Sequence, residues 1–570
     1  MSKDIPAIKR IYSSSLFFAL CLNIIVLAVS LVVGNGKFSS LDDFFMTTVL
    51  TGAYGGKYDV HMFFVNVVYG YFLRPFYALL PNVSWYSVFQ TFTVFASFTA
   101  LCFVTIERFG KKLGVAIAIL LLTSVSPDFY LHVAFTQCAG IAIAAGIFLF
   151  LIGCAEKKRS RLVIGIVFLL VGFVFRKEMF LLGMPTLATL LFFVLLRAKA
   201  IWKPSLIALA VLALAFVTLD KFNSWHYKGD YEYYAAYQSP RAYFGDGAFF
   251  NENDAIAELD ERGLNSLDLT YLRAWYFYDK NVFSLDSMKK LIEIVDRHHY
   301  EPNYAKFPLA IILTWSNTLL RGSVWSWAFL CLSLIFFSNK RNWWVPWVSI
   351  GLISVPYAYL LLVNRVIEHV EVGIWALGVI FVLFFVDKND FLNQKQAKFF
   401  LQIVGVVCIL CIVISGINIT FSNMSKAAKA SRPTFGLRTD WLEFLSYVQN
   451  HPNDVFLLPY ERYKELSVNV NHFFTAVEPG SWNNIYSTGY WNIHLPAMEQ
   501  ELKKRGVDNL FKDITKDNVY VMSEATNLSF TPYYNYHYHT KLKTDTLKSF
   551  GPLKLLKYRV KENDNEKTQR

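Results

Sequence analysis

The sequence predicts a polytopic α-helical membrane protein, with about eleven transmembrane helices and a small extracytoplasmic C-terminal α/β domain. Three observations carry that expectation. Hydrophobic residues make up 54% of the 570 and charged residues only 17%, with a mean hydropathy of +0.34, which excludes an ordinary soluble enzyme. Apolar runs of near-membrane length recur through the first 418 residues. The basic residues gather in every second loop between those runs, the pattern that orients membrane proteins. The net charge of +12 is therefore read as a topology signal and not as a nucleic-acid footprint.

The first run, Ser13 to Val33, carries no charge. It is too long for a signal-peptide core and lacks a small-residue cleavage site, so it is expected as a retained helix. Further spans are expected at 84–106, 113–127, 137–154, 162–175, 179–196, 204–219, 323–338, 343–363, 371–386 and 399–418. One set of loops, within 3–10, 108–112, 157–161, 197–203, 340–341 and 388–398, holds eighteen Lys and Arg; the short loops of the other set hold only Lys37, Lys57, Arg74, Arg176, Lys177 and Arg365. The asymmetry predicts a multi-pass plasma (inner) membrane protein with a cytoplasmic N-terminus and an extracytoplasmic C-terminus.

The outer segments are then 35–83, 128–136, 176–178, 220–322, 364–370 and 419–570. Residues 1–418 form the membrane domain, with outer loops 35–83 and 220–322, and 419–570 the C-terminal domain. Two apolar stretches, His61 to Leu80 and Lys306 to Leu320, read as interfacial helices, because counting either as a span would reverse the charge asymmetry. In the tail, Val455–Leu458 and Asn518–Met522 read as strands, Asp440–Gln449 and Leu495–Arg505 as helices, and the aromatic, basic stretch Tyr533–Tyr558 as further strands. The terminal KENDNEKTQR is expected to be disordered. The seven cysteines lie in or beside apolar runs without metal-ligand spacing and read as small core residues.

The chemistry concentrates on the outer face. Asp42 and Asp43 follow the first span directly, and carboxylates at such a depth are usually functional. The competing reading is a helix start, Ser40 as cap and Asp43 at its third position. Successive helical residues point about 100° apart, so only one acid should enter a given cavity; Asp43 is the preferred general base, Asp42 the other candidate. His61 is a further substrate-binding candidate in this loop. Asp128, beside Pro127 and near His132 and Gln137, is either a solvated loop acid or a second carboxylate opposite Asp43, able to hold a metal or a sugar hydroxyl. Arg176, Lys177 and Glu178 oppose the charge asymmetry and suit an anion site, with snorkelling anchors as the alternative. Arg365, Glu368 and His369 form a similar cluster, unless Arg365 and Glu368 are only an anchoring ion pair. The ring-rich start of the long loop, with Arg241 and Asp246, suits carbohydrate stacking or an interfacial aromatic belt. No Walker, GxGxxG, HExxH or nucleophile-elbow motif is present.

This layout resembles the GT-C superfamily of integral-membrane glycosyltransferases. The resemblance implies about eleven spans, an acidic residue in a long first outer loop, an acid in the second, and often an outer C-terminal domain. It further implies transfer of a sugar from a polyprenyl-phosphate-linked donor to a cell-surface glycan or glycolipid acceptor in contact with membrane lipid. By that resemblance Asp42 or Asp43 matches the catalytic acid, Asp128 the second-loop acid, and Arg176 and Arg365 the position of the lipid phosphate. A divalent ion, Mg or Mn, is expected only for a diphosphate donor; no other cofactor is. The alternatives are a surface-polysaccharide repeat-unit polymerase and a non-enzymatic lipid-linked-glycan flippase or export protein. The stretch VEPGSWNNIYSTGYW at 477–491 matches no recognisable module.

Overall fold

The computed structural model describes residues 14–34, 37–38, 40–197, 202–246, 250–299, 304–337, 342–363, 365–387, 394–430, 436–470, 473–523 and 529–561. The expected disordered terminus lies, apart from Lys561, outside the described residues, as do Lys3, Lys9, Arg10, Lys199, Lys340, Arg341 and Lys388 of the charge pattern.

Every expected span is helical. In chain order the principal helices before the tail are α1 (Ser15–Gly34), α2 (Leu41–Leu50), α3 (Val67–Leu79), α4 (Trp85–Phe109), α5 (Lys111–Ser124), α6 (Phe135–Glu156), α7 (Arg159–Phe175), α8 (Lys177–Arg197), α9 (Trp202–His226), α10 (Glu232–Gly245), α11 (Phe307–Asn317), α12 (Gly322–Phe337), α13 (Val345–Leu362), α14 (Glu368–Phe385) and α15 (Gln394–Ala430), with the one-turn helix Pro127–Tyr130 between α5 and α6 and three further helices between α10 and α11. Among the described residues eight are long and apolar enough to cross a membrane, and nine if α11 and α12, bent by 110°, count as one span. The expected eleven exceeds this because α5, α7 and α12 have only 14, 17 and 16 residues. At 1.5 Å per residue they reach about 21–26 Å, short of a hydrocarbon core of about 30 Å. They nevertheless run between the same two ends of the bundle as the long helices. At one end Arg161 of α7 pairs with Glu107 of α4 and Glu156 of α6, and Arg108 donates to the Phe384 carbonyl at the end of α14. At the other end the Phe135 amide of α6 meets α2, and Ser323 of α12 meets Asp128.

The packing centre is the α6–α7–α14 group. Helix α6 is almost wholly buried, and small residues allow that. A Cβ on Gly165 would stand 2.5 Å from the Phe150 amide nitrogen, and one on Gly140 3.0 Å from the Gly373 Cα. Close backbone approach through small residues is how helices associate where lipid offers no hydrophobic contrast.

Two features organise the end of the bundle that carries Asp43 and Asp128. Strand β1 (Lys37–Phe38) pairs in parallel with β2 (His132–Val133), joining the first and second outer loops. The tail forms a five-stranded sheet, β3 (Val455–Leu458), β4 (Ile485–Ser487), β5 (Val519–Met522), β6 (Leu542–Phe550) and β7 (Leu553–Val560), in the order β4-β3-β5-β7-β6. Its first three strands are parallel and β7 pairs antiparallel with both neighbours. The stretch expected as strands from Tyr533 begins instead with a helix, Phe530–Tyr538. The first interfacial stretch is helical only from Val67, where Asn66 caps it.

The tail does not stand apart from the outer loops. Trp482 and Gly480 donate to the carbonyls of Ala53 and Gly52, and Gly55 donates to the Asn483 side chain. In the long loop, buried Asp279 accepts from Asn509, Tyr533 and Tyr538 of the tail.

Candidate functional site

Helix α2 starts at Ser40, whose hydroxyl accepts from the Asp42 amide, not from the amide of Asp43 expected for a capping box. The two acids then diverge. Asp43 is fully buried, and its Oδ1 accepts from Tyr86 Oη at 2.8 Å, Gln90 Nε2 at 2.7 Å and the Phe135 amide at 3.0 Å. Phe135 opens α6, and the residue before it, Ala134, has no side-chain acceptor to cap that end. Asp43 supplies the acceptor from a distant loop, at the positive pole of a 22-residue helix. Its Oδ2 is buried without a partner. Burial raises its pKa to about 7, against the opposing pull of the Gln90, Tyr86 and Phe135 donors. Asp43 is thus a brace joining α2, α4 and α6.

That shift has a direction for stability. The folded protein holds the Asp43 proton more tightly than the unfolded chain, whose value is near 3.8. The contribution is present below about pH 4 and is lost as pH rises through about 7. The melting temperature of the wild type, relative to Asp43→Asn, should fall between pH 5 and 8. A constant difference across that range would show that Asp43 does not titrate there.

Asp42 is half-buried and faces the other way. Tyr490 Oη, from the loop after β4, donates to its Oδ1 at 2.9 Å. Arg176, Arg241, Asp246, His369 and Tyr460 lie within electrostatic reach of it. Five separated stretches of chain therefore converge on Asp42.

Arg176 closes α7. It donates to Thr136 Oγ1 at 3.4 Å, lies 3.5 Å from Glu178, and sits over the rings of Phe64 and Phe135 at 5.6 and 5.0 Å. Burial lowers its pKa, with Glu178 acting in the opposite sense. Arg365 pairs with Asp246 at 2.8 Å, not with Glu368. The Asp246 carboxyl is raised by burial, while Arg365 and Arg241 pull it down. Asp42, Arg176, Glu368 and Arg365 all act on His369 electrostatically.

Arg241 belongs to a face of α10 that buries Tyr234, Tyr237, Gln238, Arg241 and Phe244, a 3–4 residue spacing. Its guanidinium lies between two indoles, 3.8 Å from Trp491 and 4.8 Å from Trp275. It donates to Gln238 Oε1 at 2.8 Å and to the Gly489 carbonyl at 3.0 Å. A Cβ on Gly489 would stand 2.3 Å from the Trp275 carbonyl oxygen, so the approach of this loop requires glycine. Trp491 also packs edge-on against Phe64 at 4.1 Å, and Trp275 stacks on Tyr460 at 4.6 Å.

No protein-family model matches this chain, and neither does any curated protein or solved structure.

Three sequence candidates fall outside the convergence. His61 hydrogen-bonds Asp59 at 2.6 Å and the His226 carbonyl at 3.1 Å, and stacks on Tyr231 at 3.6 Å; it fastens the first loop to the end of α9. Lys177 turns outward to Asp220 at 2.9 Å, both exposed, so of the 176–178 cluster only Arg176 faces inward. Asp128 does not face Asp43 across a cavity. It accepts from Ser323 at 3.3 Å and lies near Arg321, which reaches Glu368 at 3.4 Å and Glu371 at 3.5 Å. Burial raises its pKa to about 6, with Arg321 opposing. This is an ion network joining the second loop, α12 and α14. Among the described residues no three His, Cys, Asp or Glu side chains converge in a metal-binding group.

Sequence reasoning missed Tyr490, Trp491, Trp275 and Tyr460. The Gly489-Tyr490-Trp491 triplet was the available signal, but nothing local in it says which loop it meets.

Proposed function

We propose that the chain is a membrane glycosyltransferase that moves a sugar from a polyprenyl-phosphate donor to a glycan or glycolipid acceptor. The observation that carries this reading is one half-buried carboxylate, Asp42, bonded by Tyr490 and within electrostatic reach of Arg176 and Arg241 at the end of the helix bundle. Transfer needs a base for the acceptor hydroxyl and a countercharge for the leaving phosphate. Asp42 takes the hydroxyl proton as that oxygen bonds to the anomeric carbon. The sugar–phosphate C–O bond breaks, and the prenyl phosphate leaves with the electron pair. Arg176 meets the charge that develops on it, with Arg365 beside it. Asp42 replaces Asp43 as base in this reading because Asp43 is fully buried with its Oδ1 taken by three donors of the packing, whereas Asp42 is half-buried.

The reading takes the outer-loop end of the bundle to be extracytoplasmic, with eleven crossings. Cysteines placed at the exposed Ser266 and Thr544 should react with an impermeant maleimide in intact cells, and one at Lys158 should not. The reverse labelling would turn the site to the cytoplasm.

The donor test uses purified protein and a short-chain prenyl-phosphate sugar. Arg176→Lys should weaken donor binding and slow transfer about 10-fold or more, because a point charge cannot replace a planar fork. Lys177→Arg should change neither. Full activity of Arg176→Lys would leave Arg176 as an anchor over Phe64 and Phe135.

A further inference from the structure

Arg241 is fully buried, yet it makes no ion pair with any carboxylate among the described residues. Its polar contacts are the neutral Gln238 amide and the Gly489 carbonyl. Its second terminal nitrogen, Nη2, is buried with no partner at all. The hydroxyl of Tyr234, within electrostatic reach of Arg241, is also buried without a partner, as is the amide of Asn492, the residue after Trp491. Asp246 and Asp42 act on Arg241 electrostatically without bonding it, and native interiors rarely leave a buried charged donor open. The two indoles fix the guanidinium plane but supply no hydrogen-bond acceptor.

We propose that Arg241 is the binding point for an oxyanion, a carboxylate or phosphate ester, carried by the acceptor glycan, so that the protein selects acidic acceptors. This rests on the transferase reading for the word acceptor, though not for the anion site itself. The order of side chains assigns the anion to the acceptor rather than to the donor. Arg176, at the end of α7, and Arg241 are separated by Phe64 and Trp491. The membrane-anchored phosphate meets Arg176, and Arg241 lies beyond the rings, on the side formed by α10 and the tail. Asp42 is within electrostatic reach of both. A sugar anchored at Arg241 and resting on the Trp275–Tyr460 rings can therefore bring a hydroxyl to Asp42.

Direct binding to the purified full-length protein tests this. The probes are trigalacturonic acid and a glycerol phosphate trimer, neutral galactotriose as control, and farnesyl phosphate for the donor headgroup. At least one acidic probe should bind about 10-fold or more tightly than galactotriose. The preference should disappear in Arg241→Gln, shrink in Arg241→Lys and persist in Arg176→Gln. Farnesyl phosphate affinity should fall in Arg176→Gln and not in the Arg241 variants. Equal binding of acidic and neutral probes to the wild type overturns the proposal whatever the variants do. So does a preference that survives in Arg241→Gln, or, should that variant not fold, one undiminished in Arg241→Lys. Loss of farnesyl phosphate binding in the Arg241 variants would give the site to the donor instead. Absence of turnover with any prenyl-phosphate sugar, alongside a retained acidic preference, would remove the transferase reading and leave the anion site standing.

Discussion

Asp42→Asn should lower sugar transfer by at least about 10²-fold, the usual scale for losing a positioned general base. The amide keeps the shape of the carboxylate and an oxygen for the Tyr490 hydroxyl, which donates to Asp42 at 2.9 Å. The loss should therefore fall on the rate, with donor affinity and thermal stability close to wild type. Asp43→Asn should retain most activity, because its amide oxygen still accepts from Tyr86, Gln90 and the Phe135 amide. The measurement is release of prenyl phosphate from a short-chain donor by the two variants side by side. The opposite ranking would return the base role to Asp43, and full activity in both would remove the carboxylates from the chemistry.

Asp43→Ala should be the more damaging change for the fold. It strips the acceptor from three buried donors at once, one on each of two side chains of α4 and one at the start of α6. An orphaned buried donor costs about 1–3 kcal/mol, so the combined loss is on the order of 3 kcal/mol or more, reduced by whatever water reaches the cavity. Thermal unfolding in detergent should show a clear drop for Asp43→Ala and little for Asp42→Ala, whose carboxylate is half-buried with one hydroxyl partner. Equal melting temperatures for the two alanine variants would contradict the brace.

Much of this molecule is legible one element at a time. The helices follow from apolar runs, since a bilayer leaves backbone groups no partner outside the segment. The strands Val455–Leu458 and Val519–Met522 follow equally from local pattern; Ser487, expected to be exposed, is fully buried in β4. The importance of the Asp42–Asp43 pair was also visible, because acids beside a span need a reason. Its internal division was not. Which acid turns inward depends on the rotation of α2 against α4 and α6, and that rotation is set by where Tyr86, Gln90 and an uncapped helix start are waiting.

His61, Lys177 and Asp128 were chosen for residue type and proximity along the chain. Each found a nearer partner, Asp59, Asp220 and the Arg321 network respectively. A charged side chain half out of water takes the first good countercharge within reach, and sequence spacing does not reveal which one that is. Arg365 shows the same: its partner is Asp246, more than a hundred residues upstream, and not the nearby Glu368.

By itself the sequence determined the class of molecule, the helical character of its apolar runs and the presence of acids and cations at one end. These depend on hydrophobic transfer and local periodicity, which are additive along a chain. Only the tertiary structure decided that the tail reaches back to the first loop, that Tyr490 touches Asp42, and that Trp275 and Trp491 enclose Arg241. Most of those contacts join residues hundreds of positions apart. They rest on shape and on the pairing of buried polar groups, which no local pattern encodes.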